Sequence, residues 1–448
     1  MSQLLHKIIT KLGIDTTVKA KVVSNLVWAV GGKVVTLSGN LLVGIFVARY
    51  LGPEQYGLMN YVISYVTIFQ VFASLGLDSI EIREEARAGS DRDVLIGTAF
   101  RLKLIASLIT MILIAATTIF AKTDSYTQIM IIVYSLSIVF NTMSVCRNYF
   151  TSIIWNEYVV KTEITRTLLG VAIKVILLLL HASLTWFILA VLLDVFMLGS
   201  GYALSYNRKI AKISLWRWDT QTAKFLLRES FPMMLSGTAV VIYTRINQVM
   251  IGLMLDNASV GQYSIATSFV DVCIFVPTIL SQTISPVLVR KYEQDREKYK
   301  AKMYAFYNLT FWICFLFAIF VNAISYPLIR YTYGTMYLAA VPVLQVLIIK
   351  MIGEALAQTS GQAIIIEQIQ KYAVIRNVAG CVVCIGLNLY LIPRYGIMGA
   401  AVSSAITAVV PGYLAHLLIP AYYDIFKMQT RTILFGWKDV FRIKNFLK

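Results

Sequence analysis

The chain has 448 residues, of which 58% are hydrophobic and only 14% are charged, and its mean hydropathy is +0.71. Soluble domains are roughly 25% charged, so this composition excludes an ordinary soluble protein and predicts one that crosses a membrane many times. The net charge of +17 comes from basic residues between the apolar segments, a pattern typical of membrane loops, so a nucleic-acid partner is not expected.

Residues 1–24 predict an amphipathic cytoplasmic helix on the membrane surface, because apolar residues recur there at helical spacing between lysines. Segments long and apolar enough to cross a bilayer follow. These twelve predicted spans are 25–48, 57–77, 97–121, 127–148, 164–181, 185–206, 231–255, 263–289, 303–326, 338–360, 372–392 and 397–420. They predict an all-α polytopic protein with two six-helix lobes, 25–206 and 231–420, around a central cavity. A basic cytoplasmic linker, 207–230, joins the lobes, and a basic cytoplasmic tail, 421–448, follows them.

The distribution of basic residues predicts the orientation of these spans. With the N-terminus inside, and with basic residues near the span ends counted with the adjoining loops, 32 of the 40 Lys and Arg residues fall in inside segments, four fall in outside loops and four lie deeper within spans. Because Lys and Arg concentrate on the cytoplasmic side of membrane proteins, both termini are expected in the cytoplasm. The outside connections are all short, so no extracytoplasmic domain is expected to hold a catalytic site, and an enzyme is not expected.

A short internal repeat relates the two predicted lobes. Leu51 and Gly57, which follow the first span, match Leu255 and Gly261, which follow the seventh. Because six spans separate the two copies, both lobes have the same orientation in the membrane. Two such lobes, related by an axis along the membrane normal, predict a substrate cavity at their seam.

Lys33 and Asn40 in the first span are the first candidates for contact with a substrate. They share one helical face, as residues three, four or seven apart do. Lipid disfavours such a polar face, so we expect it to turn toward a cavity or a neighbouring helix. Interhelical hydrogen bonding is the alternative for the uncharged members of these faces.

Arg245 indicates the chemistry of the cargo. It lies near the middle of residues 231–255, a stretch of bilayer-crossing length with no other charged residue. A guanidinium keeps its proton at any relevant pH, so at this depth it must face a water-filled cavity or an anionic partner. Arg245, with Gln248 and Asn247 beside it, therefore predicts an anion-binding site. A structural pair with a buried acid is the alternative.

Three acidic residues lie within the predicted spans. Asp271, on the longest polar stripe of the eighth span, is predicted to balance the arginine of the seventh span or to carry a coupling proton. Glu354 lies four residues after Lys350 and is predicted to pair with it along the helix or to transfer a coupling ion. Lys174 and Asp194 lie at similar depth on either side of a short turn, and we expect a structural salt bridge between them.

The cysteines and histidines predict no metal site and no other cofactor. The five cysteines lie within or beside apolar segments, and Cys381 and Cys384 form a single C-x-x-C without a second pair, which indicates helix packing. The three histidines are scattered along the chain. The sequence has no P-loop for ATP, so the energy sources to consider are the membrane potential and a proton or sodium gradient.

Five stretches of the sequence resemble the polysaccharide flippases of Wzx type, in the multidrug/oligosaccharidyl-lipid/polysaccharide exporter superfamily. Their order and spacing carry the resemblance, which covers essentially the whole chain. The stretches are residues 47–57 (VARYLGPEQYG), 231–237 (FPMMLSG), 243–248 (YTRINQ), 331–347 (YTYGTMYLAAVPVLQVL) and 388–401 (NLYLIPRYGIMGAA).

The resemblance implies a two-lobed fold of twelve helices that works by alternating access. It implies that an undecaprenyl-pyrophosphate-linked oligosaccharide is flipped to the outer leaflet of the bacterial cytoplasmic (inner) membrane. The product would serve the synthesis of O-antigen, capsule or exopolysaccharide. Arg245 matches an arginine that the family carries in its seventh span, and Lys33 matches a less fixed cationic position. Expected partners are this lipid-linked cargo, membrane lipids, a polysaccharide polymerase and a chain-length regulator.

Two other functions remain as alternatives. A cation-coupled multidrug antiporter of the same superfamily would attract cationic drugs through acidic residues. Within the predicted spans, away from their ends, the four bases Lys33, Lys174, Arg245 and Lys350 outnumber the three acids, which favours an anionic cargo. A membrane polysaccharide polymerase or ligase would be expected to carry a sizeable outside loop with catalytic residues, and the predicted topology contains none.

Overall fold

The structure is a computed structural model that describes residues 17–87, 89, 91–120 and 123–440. Every regular element in these ranges is helical, without a strand. The predicted surface helix at the N-terminus lies mostly outside the described residues, as do residues 441–448 of the predicted tail.

Seventeen α-helices make up most of the described chain. In chain order they are α1 (Thr17–Ser74), α2 (Asp78–Glu85), α3 (Arg92–Phe120), α4 (Ser125–Phe140), α5 (Ser144–Ser152), α6 (Asn156–Leu179), α7 (Leu184–Lys209), α8 (Thr220–Met254), α9 (Asn257–Cys273), α10 (Phe275–Gln294), α11 (Arg296–Thr332), α12 (Ala340–Leu347), α13 (Lys350–Ile366), α14 (Ala373–Val409), α15 (Ala415–Leu418), α16 (Tyr423–Phe435) and α17 (Trp437–Val440). A π-helical segment, Val410–Leu414, joins α14 and α15.

Contacts divide the described chain into two compact units. The first unit contains the described residues up to Val47 and the range Phe69–Met234. The second contains Ala48–Ile68 and the described residues from Leu235 onward. Helices α1 and α8 therefore each contribute to both units, and residues 48–68, which follow the first predicted span, pack with the second unit.

Nine helical stretches of the described chain are long and apolar enough to cross a membrane. They confirm the prediction of an all-α polytopic membrane protein, whereas the count of twelve spans stays a prediction. Two of the nine each contain two predicted spans, with a non-helical glycine between them: Gly52 (φ 71°) in α1 and Gly396 (φ 58°) in α14. Glycine adopts this left-handed region without the steric cost that other residues meet there. Predicted span 164–181 lies largely in α6, which is not among the nine.

The two copies of the internal repeat touch each other within the second unit. A Cβ atom on Gly57 would lie 1.7 Å from the carbonyl oxygen of Asn257 and 2.7 Å from the nitrogen of Gly261. Reciprocally, a Cβ atom on Gly261 would lie 2.1 Å from the carbonyl oxygen of Pro53. Only glycine allows backbones to approach this closely. The repeated glycines thus form a backbone-to-backbone contact, which we call the glycine junction.

Two segments predicted as loops are largely helical. Helix α8 begins at Thr220, so the predicted linker 207–230 supplies its first turns. The carboxylate of Asp219 accepts a hydrogen bond from the backbone nitrogen of Thr222 (2.7 Å), which caps the helix and lowers the pKa of Asp219. The predicted tail from residue 421 contains α16, where Gln429 and Thr432 are fully buried. Such packing is difficult to predict for a short segment with both polar and apolar residues. The burial of its side chains depends on helices that are distant in the sequence.

In the first unit, the predicted pair Lys174 and Asp194 forms a salt bridge between α6 and α7. Both side chains are largely buried, with 16% and 9% of their surface exposed. Gly170, one turn before Lys174, leaves the space that the Asp194 carboxylate occupies. A Cβ atom at position 170 would lie 2.1 Å from Asp194 Oδ1.

We expect Gly170→Ala to destabilise the first unit, because the added methyl group overlaps the Asp194 carboxylate that pairs with Lys174. Alanine normally stabilises a helix by about 1 kcal/mol relative to glycine, but overpacking and the weakened ion pair together should cost about 1–3 kcal/mol net. Gly44→Ala is the matched control, since nothing lies within 4 Å of its added Cβ. Thermal unfolding of the purified variants should place only Gly170→Ala below wild type, and equal midpoints for both would contradict the expectation.

Candidate functional site

The second unit contains a polar cavity of about 260 Å³. Helices α8, α9, α13 and α14 and the residue between α9 and α10 contribute to its walls. Its lining residues are Thr244, Arg245, Gln248, Tyr263, Thr267, Asp271, Ile274, Lys350, Glu354 and Ser404. Four of the nine site residues predicted from sequence, Arg245, Gln248, Asp271 and Glu354, thus meet around one space.

Helix α8 is held against α14 by polar contacts that keep the two helices parallel. Each contact joins residues 141 positions apart, so the register is constant along both helices. The contacts are Asn377 Nδ2 to Ser236 Oγ (2.8 Å), Cys384 Sγ to the carbonyl of Tyr243 (3.8 Å) and Asn388 Nδ2 to Asn247 Oδ1 (2.6 Å). Arg245 lies between two of these contacts, so the backbone that carries it is fixed on both sides.

Arg245 is half-buried and makes neither a hydrogen bond nor a salt bridge with any residue that the structure describes. The alternative of a structural pair with a buried acid therefore finds no partner in the described chain. A guanidinium presents five N–H donors in a planar fork that matches a phosphate or carboxylate group. At the wall of a cavity, such a group is available to a ligand.

The other three charged residues of the cavity also lack salt bridges with described residues. Asp271 is exposed to the cavity, and Lys350 and Glu354 are half-buried on α13 without the predicted pairing along the helix. With all four groups ionised, two bases and two acids leave the cavity without net charge. The excess of bases counted along the sequence is therefore not a property of this cavity, which could bind an anion through its bases or a cation through its acids.

Gln248 and Asn247 occupy different environments although they are adjacent in sequence. Gln248 lines the cavity, but its Oε1 accepts from Ser64 and its Nε2 donates to Ser264 Oγ (3.0 Å). Asn247 is 1% exposed and its Oδ1 accepts from Asn388 and Cys384. This position gives Asn247 a packing role in place of the predicted contact with substrate, because a fully buried amide needs its partners within the fold.

The remaining predicted positions lie elsewhere. Lys33 and Asn40 belong to the first unit, on α1, and their side chains are exposed there. Cys381 and Cys384 are both buried and reduced, and Cys384 bridges α14 to α8, as expected for helix packing. Among the described residues, no group of three or more His, Cys, Asp or Glu side chains is arranged to hold a metal ion.

Two cations that are not among the sequence-predicted site residues are buried or partly buried in the structure. Lys103 is 2% exposed and lies in the first unit against Glu81 and Asp78, and Arg376 lies partly buried in the second unit. In the sequence-based orientation, both count with the basic residues of the adjoining inside loops. Their positions in the sequence do indicate burial, because Lys103 falls within predicted span 97–121 and Arg376 within 372–392.

The sequence matches a family model described as "Polysaccharide biosynthesis protein" over residues 22–291. No curated protein sequence matches the chain significantly. Several solved structures share its fold. "Lipid II flippase MurJ, inward closed conformation" superposes with a TM-score of 0.67 at 16% identity, over 92% of this chain and 91% of that one.

Two further structural neighbours are drug transporters. An inward-facing "multidrug resistance MATE family transporter of the MOP superfamily" has a TM-score of 0.67 at 17% identity, over 88% of this chain and 96% of that one. The "MATE multidrug transporter DinF-BH" has a TM-score of 0.66 at 16% identity, over 92% and 97%. The fold is thus that of polytopic flippases and transporters, and the neighbours named here are not enzymes.

Proposed function

The chain belongs to the polysaccharide biosynthesis protein family, and from this premise we propose that it flips an undecaprenyl-pyrophosphate-linked oligosaccharide across the bacterial cytoplasmic membrane. The movement would run from the inner to the outer leaflet and supply repeat units for O-antigen, capsule or exopolysaccharide. Alternating access, with both termini in the cytoplasm, would expose the cavity to each side in turn.

The observation that carries this proposal is the guanidinium of Arg245 at the wall of the cavity, which has no hydrogen-bond or salt-bridge partner among the described residues. A pyrophosphate offers several anionic oxygens to the guanidinium of Arg245, and Lys350 of α13 adds a second positive charge to the cavity wall. Asp271 and Glu354 would then act as counter-ions to these bases when the cavity is empty. A cavity of about 260 Å³ suits a pyrophosphate and part of a sugar, with the prenyl chain remaining in the lipid.

A second candidate, a cation-coupled multidrug antiporter, is supported by the two acids of the same cavity. Asp271 is exposed and Glu354 is half-buried, and neither forms a salt bridge with a described residue. Carboxylates in this state could attract a cationic drug or exchange it for a proton. The two candidates differ in the sign of the transported charge, so an electrical experiment separates them.

We expect the membrane potential to drive transport of the lipid-linked saccharide. The cargo carries roughly two negative charges, and moving one charge across the membrane is worth about 2.3 kcal/mol per 100 mV. In proteoliposomes, an imposed potassium diffusion potential, negative on the side of loading, should therefore accelerate flipping of a labelled lipid-linked saccharide. Reversal of the potential should slow it.

Protein-free liposomes and a fluorescent cationic dye complete the experiment. A rate of saccharide flipping that does not change with the size or sign of the potential would refute the prediction that the membrane potential drives transport. Absence of saccharide flipping, together with dye uptake that follows a proton or sodium gradient, would replace the flippase proposal with the antiporter.

A further inference from the structure

Helix α2 carries three acids on one face, and cations of the described chain contact two of them. Asp78, Glu81 and Glu85 are three and four residues apart, so they lie on the same side of the helix. Lys103 Nζ lies 2.7 Å from Glu81 Oε1 and 2.8 Å from Asp78 Oδ1. Arg147 adds a second cation, 4.0 Å from Asp78 Oδ2. Glu85 forms no salt bridge with any residue that the structure describes.

Glu85 is also deeply buried. It is 9% exposed, and both of its carboxylate oxygens are buried without a hydrogen-bond partner in the described part of the chain. An ionised carboxylate in this position would lose its hydration and gain no partner in return, which is strongly unfavourable for a charged group. A protonated carboxyl group carries no charge and loses much less on burial. The environment of Glu85 therefore favours the neutral acid.

The titratable groups around Glu85 come from its own helix and from α3 and α5, on which α2 packs. Glu81 lies one turn before Glu85, and like charges at this spacing repel each other. On α3, Lys103 faces α2, but its ammonium already contacts the other two acids. On α5, Arg147 contacts the first acid of the face, and Cys146 is a buried thiol in the apolar core of the first unit. Beside this face, α2 and the residues after it carry charges that pair with one another: Arg83, Glu84 and Arg87.

Contacts between α2 and α5 fix which residue lies opposite the third acid. Near the start of both helices, Lys103 Nζ bonds Ser144 Oγ (3.3 Å) as well as the first acid of the face. One turn later, Asn148 Nδ2 donates to Glu81 Oε2 (2.5 Å). The two helices therefore run in the same direction, and the next turn of α5 brings Ser152 level with the third acid.

Ser152 suits a protonated carboxyl group better than a carboxylate. Its hydroxyl donates its single hydrogen to the carbonyl oxygen of Tyr149 (2.7 Å). Toward Glu85 it therefore presents lone pairs, which accept from an O–H group. A carboxylate has no hydrogen to donate and would find no donor in this hydroxyl. The position of Ser152 favours the same neutral form that burial favours.

The space around Glu85 limits which cation it can bind. Its oxygens are out of reach of water, and no group of three or more His, Cys, Asp or Glu side chains in the described ranges is arranged to hold a metal ion. A proton needs no such space. Burial and a neighbouring carboxylate each raise the pKa of a carboxyl group, and Glu85 has both. We propose that Glu85 is a proton-binding site of the first unit, with Glu81 and Lys103 as the fixed charges beside it.

Release of this proton requires another arrangement of the site. When the carboxyl group becomes accessible, its O–H bond breaks, the proton passes to water and the hydrated carboxylate remains. The carboxylate can return to the buried position only after it binds a proton again. Helix α2 lies between predicted spans 57–77 and 97–121, in a segment assigned to the cytoplasmic side. If transport includes this alternation, a proton gradient acts through Glu85. That role rests on the proposed function, whereas proton binding does not.

Thermal unfolding of the purified protein in phosphatidylcholine nanodiscs, measured as a function of pH, tests the site. Glu85→Gln has nearly the shape of the protonated acid and cannot ionise. The folded wild type should hold the proton more tightly than the unfolded chain, in which the pKa of a glutamate is about 4.3, so rising pH disfavours the folded state. Between about pH 5 and 8, the wild-type midpoint should fall relative to that of Glu85→Gln by up to about 3–5 °C per pH unit.

Two further variants and a second readout complete the experiment. Glu85→Asp keeps an ionisable acid and should keep the pH dependence, so it tests the site even if Glu85→Gln does not accumulate. Glu157→Gln removes an exposed acid from its pair with Lys161 and should follow the wild type at each pH. In infrared spectra at neutral pH, the C=O band of a protonated carboxyl group should be present in the wild type, smaller in Glu85→Gln and shifted in Glu85→Asp.

A difference between wild type and Glu85→Gln that grows with pH, or an infrared band that the variants alter, supports the proton site. Parallel unfolding curves together with an unaltered band would overturn it, because Glu85 would then be ionised throughout. If the wild type fails to flip lipid-linked saccharide while the pH-dependent difference is present, the proposed function fails and the proton site stands. A pH profile of flipping that is the same in wild type and Glu85→Gln would overturn the coupling role.

Discussion

Arg245→Ala should abolish surface polysaccharide while the protein still inserts in the membrane at its normal abundance. Arg245 is half-buried at the cavity wall and has no partner in the described chain, so its removal breaks no internal ion pair. Loss of a bidentate, charge-assisted contact to phosphate is worth about 3 kcal/mol, which corresponds to a roughly 100-fold loss of transport. Arg245→Lys should retain part of the activity, because it keeps the charge without the fork.

The measurement is polysaccharide per cell at matched protein abundance, with flipping in proteoliposomes as the direct readout. Arg330→Ala provides a control for removal of a positive charge, since Arg330 is exposed and bonds only Tyr326 among the described residues. Wild-type levels of polymer from Arg245→Ala would remove the main support for the proposed site.

Lys103→Met should cause the largest loss of stability in the first unit. Lys103 Nζ lies 2.7 Å from Glu81 Oε1 and 2.8 Å from Asp78 Oδ1, and both Lys103 and Glu81 are essentially inaccessible to solvent. Asn148 adds a hydrogen bond to each acid. Methionine preserves the length of the stem but leaves Glu81 as a buried charge without its cation, which typically costs about 3–5 kcal/mol.

Such a loss is a large share of the roughly 5–15 kcal/mol by which folded proteins are stable, so we expect little intact protein to accumulate. Pairing the change with Glu81→Gln should recover part of the loss, because the uncompensated charge is then removed. Lys161→Met, at an exposed helical pair with Glu157, should leave the unfolding midpoint unchanged. A Lys103→Met protein that melts like wild type would show that the buried cluster does not hold the unit together.

Hydrophobic length and charge placement were sufficient to predict the class of fold. The count of spans was not confirmed in the same way, because consecutive spans can continue as one helix through a glycine such as Gly52 or Gly396. Hydropathy reports how long a segment remains apolar, not whether the backbone turns within it. The linker predicted at 207–230 and the tail predicted at 421–448 contain helical residues 220–230 and 423–435 for a related reason. Packing against other helices stabilises segments that are not strongly apolar.

The cavity was predictable only in part. Arg245 and Asp271 were identified because each charge stands alone in an apolar stretch, and such a charge has few tolerable environments. Asn247 and Gln248 could not be separated in this way. Polarity alone cannot distinguish a side chain that lines a cavity from one that is hydrogen-bonded to a neighbouring helix. Lys103 and Arg376 lie near span ends, where their burial depends on helices far away in sequence.

The glycine junction bears on how this protein can evolve. A surface made of side chains can be adjusted one residue at a time, but here carbonyl oxygens and Cα atoms of two related turns meet directly. Each copy also limits the other, because a methyl group added at Gly57 or Gly261 would fall on the backbone of its counterpart. A duplication that left two identical turns would thus preserve glycine in both, long after the rest of the halves had diverged.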